Sequence, residues 1–133
     1  MRRFKIGVAV AAVAGIALIG GQALRAQQPG FKREQLQKQD LGSPRGEVVQ
    51  ARADFDPDGA VGKHTHPGEE VSYVLEGSIE LEVDGKTQTV EAGKPFFIPA
   101  GVVHAAKNNG KGKASVLSTY IVEKGKPLAT AMK

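Results

Sequence analysis

The stretch "HTHPGEE", residues 64 to 70, sets two imidazoles two positions apart with a pair of carboxylates close behind. On an extended strand such residues share a face, so His64 and His66 present their rings side by side. By the same parity Glu70 points with them and Glu69 points away, unless Pro67-Gly68 bends the strand between. The chain's remaining histidine, His104, lies much further on, in "IPAGVVHAAKN". Three imidazoles and one carboxylate suit a borderline divalent ion: Fe, Ni, Cu, Zn or Mn. Taken singly, a histidine is more often a surface or core residue, and a Glu pair a solvated face. The weight here comes from all three histidines falling in these two stretches.

For His104 to meet the other two, the chain must fold back on itself as strands. The pattern predicts this. In "EVVQARADF", Val49, Ala51, Ala53 and Phe55 alternate with Gln50, Arg52 and Asp54, the period of a half-buried strand. "DPDGAVGK" reads as a turn-rich loop and "VSYVLEG" as a second strand. In "SIELEVDGKTQTV", Ile79, Leu81 and Val83 oppose Glu80, Glu82 and Asp84, and Asp84-Gly85 makes a two-residue type I′ hairpin. "EAGKPFFIPAG", "VVHAAKN" and "SVLSTYIV" supply further short strands. About seven or eight strands between glycine-rich turns, with almost no helix, predict an all-β sandwich or barrel. Phe97, Val49, Ala51 and Val102 are expected in its interior, as core or as pocket lining. Ser72 and Tyr73 are candidate hydrogen-bonding groups for a ligand.

The flanks differ in kind. Residues 1–26 join a basic start, "MRRFK", to the apolar run "IGVAVAAVAGIALIGG" and a small-residue end, the layout of a secretory signal peptide. Cleavage after Ala23 or Ala26 would place the mature protein in the periplasm or outside the cell. Left uncleaved, the run is long enough to anchor it in a membrane. Arg2-Arg3 also raises twin-arginine export, against poorly matching flanks. The leader holds four basic residues and no acid, and so accounts for the whole formal charge of +4. The mature chain is near neutral, which removes the electrostatic case for nucleic acid, and cleavage would leave no stable membrane association. With no cysteine there is no disulfide framework and no thiolate ligand. Residues 27–44 form a polar arm, read as a short helix over 32–39 or as a mobile segment ordered by a partner or by the barrel. Residues 45–122 carry the strands, and 123–133 are a polar tail.

The two histidine stretches resemble the paired motifs of the cupin superfamily, in the manner of a small single-domain bacterial member. His64-Thr65-His66, three residues, Glu70, six residues and Gly77 fit the first motif. Gly93, five residues, Pro99-Ala100-Gly101, two residues, His104, three residues and Asn108 fit the second throughout. One departure is Asp58, where the first motif has glycine; glycines stand instead at 59 and 62. The resemblance implies a double-stranded β-helix, or jelly roll, with one divalent transition metal inside on His64, His66, Glu70 and His104. It implies turn conformations at Gly77 and Gly93 and a turn shaped by Pro99 and Gly101, and leaves Asn108 between a turn role and a site role.

Function then divides. A redox-active ion with open coordination positions would make the protein an exported dioxygenase acting on a small organic substrate, with Glu70 as the ligand able to take a proton. Zn or Mn in the same place would polarise a carbonyl for isomerisation or hydrolysis. A non-catalytic metal- or ligand-binding module fits the same residues, since one fold hosts many functions. The expected partners are a small-molecule ligand and, from the resemblance, a second copy in a homodimer.

Overall fold

A computed structural model describes residues 28–42 and 46–133; the expected leader lies outside the described residues. The described elements are all strands: β1 (Phe31–Asp40), β2 (Gly46–Phe55), β3 (Ala60–Thr65), β4 (Gly68–Glu76), β5 (Ser78–Val83), β6 (Lys86–Glu91), β7 (Pro95–Ile98), β8 (His104–Lys107), β9 (Ala114–Glu123) and β10 (Thr130–Ala131). They form two five-stranded sheets, ordered β1-β2-β9-β4-β7 and β10-β3-β8-β5-β6. This is the jelly roll the resemblance implies. The expected alternation holds where it is clearest. Glu47, Val49, Ala51, Ala53 and Phe55 of β2 face inward, as do Ile79 and Leu81 of β5. Burying such aliphatic side chains stabilises the fold by about 1.5–3 kcal/mol each. At the β5–β6 turn Asp84 and Gly85 have φ of 50° and 77°, the two positive values a type I′ hairpin requires.

Four expectations change. No helix forms over 32–39: this polar segment is β1, paired along its length with β2 around a bulge between Gln35 and Gln37. Backbone pairing holds it, and Phe31 alone of its side chains is fully buried. The loop read in "DPDGAVGK" ends early, because β3 begins at Ala60. The polar tail also returns to the barrel, where β10 pairs with β3. Phe97 is not interior; it is 55% exposed, while its neighbours Phe96 and Ile98 turn inward. With strand parity, only one of two adjacent phenylalanines can face the core.

Outward on the first sheet, Val71, Tyr73 and Leu75 of β4, Phe97 of β7 and Ile121 of β9 are large and exposed. In register, Val71 lies opposite Phe97, and Glu69 opposite Ile121. Position 58, where the motif departs from glycine, keeps the glycine-like backbone: Asp58 has φ 63°. Aspartate is among the few residues that tolerate it. Asn108 then resolves as structural. Buried, it donates through Nδ2 to the carbonyls of Phe55, Asp56 and Gly112 and accepts from the Gly110 amide, clasping two loops.

At the join between sheets, Gly68 lies so close to β9 that an added Cβ would collide with the Ile121 carbonyl. Gly68→Ala is expected to push β4 off β9 and cost about 2–4 kcal/mol, read as a lower midpoint in urea with an unchanged slope.

Candidate metal centre

Each histidine reaches the interior by a different local route. His64 on β3 and His104 on β8 are directly paired across neighbouring strands. His66 lies one residue past β3, where the chain crosses at Pro67 from the second sheet to the first. Glu70 then comes inward from β4, the opposite wall. The expected parity of Glu69 and Glu70 therefore holds: Glu70 is buried, Glu69 only partly.

The rings cluster tightly. Their centroids are 4.2 Å apart for His64–His104, 4.8 Å for His64–His66 and 4.9 Å for His66–His104. One nitrogen from each falls within 4.8 Å of the others, as in a three-histidine metal site. In every ring Nδ1 faces a backbone carbonyl: Gly62 at 2.7 Å for His64, Leu128 at 2.6 Å for His66 and Val102 at 2.9 Å for His104. A carbonyl only accepts, so each Nδ1 carries a proton and donates it, and Nε2 is the atom left for the interior. Metal-bound histidines are held in this way. For His64, burial and the neighbouring His104 push the ring down to about 3, which keeps it neutral with a free lone pair at physiological pH.

Glu70 completes the arrangement. Its Oε2 lies 3.1 Å from His66 Nε2 and 3.2 Å from His104 Nε2, yet both nitrogens are buried without an aligned hydrogen bond. As lone pairs they would repel the carboxylate; only as cations would they attract it. The site calls for positive charge at this point, and a divalent ion supplies it. Burial by itself would raise the Glu70 carboxyl. The facing His104 and His66 rings and the Ser72 hydroxyl outweigh that and hold it well below the usual carboxylate range. A metal ion would act in the same sense. The other oxygen, Oε1, accepts from Ser72 Oγ at 2.7 Å and from Ser118 Oγ at 3.0 Å. The carboxylate is thereby aimed, with Oε2 toward the rings. The residues present fit a divalent ion.

Of the two hydrogen-bonding candidates, Ser72 is buried at the site and Tyr73 is 45% exposed. Sequence reading missed three contributors. Ser118 and Tyr120 sit on inward parity in β9, a regularity visible in "SVLSTYIV". The Tyr120 ring lies 4.6 Å from His66; burial, then the Glu70 charge, raises its hydroxyl to about 12. Arg33 of β1 lines the same cavity. Ser72→Ala is expected to leave the fold intact and to weaken metal binding about tenfold, the lower end for a supporting hydrogen bond, measured by competition with a chromophoric chelator.

A jelly-roll barrel with three imidazoles gathered on one interior point defines a class of protein built around a metal-type site. This chain belongs to the cupin family: the cupin domain matches residues 51–120, which include every residue of the cluster. It is 47% identical over 79 residues to germin-like protein subfamily 2 member 2 of Arabidopsis thaliana, a match covering 55% of this chain and 36% of that protein. The chain thus spans about a third of the length of such curated relatives. Among solved structures, it resembles a recombinant oxalate oxidase in complex with glycolate, with a TM-score of 0.64 and 25% identity. That match covers 80% of this chain and 57% of the other. It also resembles an RmlC-like cupin from Shewanella frigidimarina, with a TM-score of 0.58 and 25% identity over 74% of this chain and 81% of that one.

Proposed function

We propose that this chain holds one divalent transition metal on His64, His66, Glu70 and His104 and performs dioxygen chemistry on a small organic substrate. The observation that carries the proposal is the gathering of three imidazoles, each fixed through Nδ1, with the Glu70 carboxylate against two of them, His66 and His104. The likeness to an oxalate oxidase supports redox chemistry over carbonyl polarisation. An ion with four protein ligands has further positions for substrate and dioxygen. The rest falls to the chain. Glu70 is the ligand best placed to take a proton, because Ser72 and Ser118 keep the carboxylate oriented while it does so. Tyr120 stays protonated and so available as a donor. Phe31, Phe55, Ile79 and Leu81 wall the cavity and keep bulk water from it.

A second reading, a binding module without turnover, draws on the size of that cavity. At about 30 Å³ it holds little more than one water beside the ligands. Elemental analysis of protein purified without tag or chelator, followed by oxygen-electrode screening of small organic acids and enols, separates the two. Near one equivalent of Fe, Ni, Cu or Mn with dioxygen uptake supports the enzyme. Bound metal and ligand without consumption supports the module, and a folded protein that refuses every metal ends the metal-centre proposal and puts a metal-free ligand-binding module in the lead.

Export through the 1–26 leader belongs to the same proposal; the mature N-terminus, read by Edman sequencing, should be Leu24 or Gln27. So does a homodimer, for which the exposed apolar side chains of β4, β7 and β9 offer a surface. Sedimentation showing a monomer at micromolar concentration would remove it.

A further inference from the structure

Arg33 is an odd residue to find where it is. It projects from the edge strand β1, and its Nε is buried with no hydrogen-bond partner. Its guanidinium lies 5.7 Å from the ring centroids of both Phe31 and Tyr120. Among the described residues no carboxylate pairs with it, although eight other lysine, arginine or histidine side chains are paired. A desolvated guanidinium nitrogen without an acceptor is costly and persists where something else supplies one.

Its position says what. Arg33, Phe31, Val61 and His64 stand in the walls of two spaces at once. One is the small cavity holding Glu70 and His104; the other is a surface groove of about 320 Å³ that reaches Pro127 and Leu128. A ligand moving from groove to metal passes this guanidinium. The two rings flank it, and a planar fork of N–H donors matches a carboxylate in two parallel hydrogen bonds. Its charge is a minor influence in the site, adding to the burial that lowers His64 and opposing the burial that raises Tyr120.

We propose that Arg33 is the anion-recognition residue of the metal centre, and that the substrate is a small carboxylate with its acid group on Arg33 and its far end toward the His64–His66–Glu70–His104 cluster. This rests on the metal-site reading above. It adds a substrate class and a residue outside both cupin motifs.

The test uses the full mature protein loaded with Mn(II) and two matched pairs of probes, acetate against acetamide and lactate against lactamide. Binding is followed by the change in water-proton relaxation as the probe displaces metal-bound water. In the unaltered protein each acid should bind at least tenfold tighter than its amide. Arg33→Gln should abolish that preference without changing metal content, and Arg33→Lys should restore part of it. A role limited to stacking on the rings would not move the acid-to-amide ratio. Equal binding of acid and amide by unaltered, metal-loaded protein overturns the assignment of Arg33 alone, with no variant needed. Retained preference in a folded Arg33→Gln protein overturns it too. Failure of the unaltered protein to bind any metal removes the metal-site reading, and this inference with it.

Discussion

His104→Ala is expected to leave a folded barrel that no longer binds a divalent metal. The expected result is a fall from near one ion per chain to a background level, an affinity loss of at least roughly a hundredfold. Removing a group that merely orients a ligand already costs about ten- to a hundredfold. The physical reason is local. His104 Nε2 is one of two nitrogens facing Glu70 Oε2, and its ring stacks closest to His64. Without it the remaining donors no longer surround one point. The fold should survive, because the Val83 and His64 backbone pairings of residue 104 do not depend on its side chain. Elemental analysis beside amide-region NMR checks both halves. Full metal occupancy in the variant would exclude His104 as a ligand.

Glu70→Gln should cross over. The site sets two imidazole nitrogens, those of His66 and His104, against a carboxylate, so it is tense when no cation is present and relaxed when one is. A glutamine is the same shape and neutral. In the metal-free protein its amide can donate to the His66 and His104 nitrogens that now lack an aligned partner, while the Ser72 and Ser118 hydroxyls turn to suit. The metal-free variant is therefore expected to melt at or above the metal-free parent. With metal the order reverses, because the ion loses its one anionic ligand. A hundredfold weaker affinity corresponds to about 2.7 kcal/mol less stabilisation at saturating metal. At roughly 4 to 8 °C per kcal/mol for a domain of this size, differential scanning calorimetry resolves the inversion. If Glu70 also takes the substrate proton, dioxygen uptake at saturating metal should drop about a hundredfold or more. Unchanged uptake would leave Glu70 a ligand only.

How much of this was legible follows from what a residue's identity can encode. The cluster was readable because strand geometry ties spacing to direction: His64 and Glu70 face inward by parity, and the second stretch follows a spaced motif that includes His104. The hairpin at Asp84-Gly85 was readable because few residues accept positive φ. By contrast β1 is held by backbone pairing, which any side chain can make, so "FKREQLQKQD" gives no alternation to find. Phe96 and Phe97 are identical in type, and only the register of β7 decides which is buried. The partners of the three Nδ1 atoms are main-chain carbonyls, which carry no letter in a sequence at all. Leu128 is the extreme case, since it reaches His66 from a segment that reads as solvated tail.

That last contact ties two timescales together. The Leu128 carbonyl holds the His66 ring, and beyond it the Met132 amide, one residue past the exposed two-residue strand β10, donates to the Lys63 carbonyl at 2.8 Å. Short, exposed edge strands open far more often than cores. An opening that runs from β10 back to Leu128 is expected to cost His66 the anchor of its tautomer. Deuterium uptake at Met132 is then a clock for the residence of whatever the three rings hold.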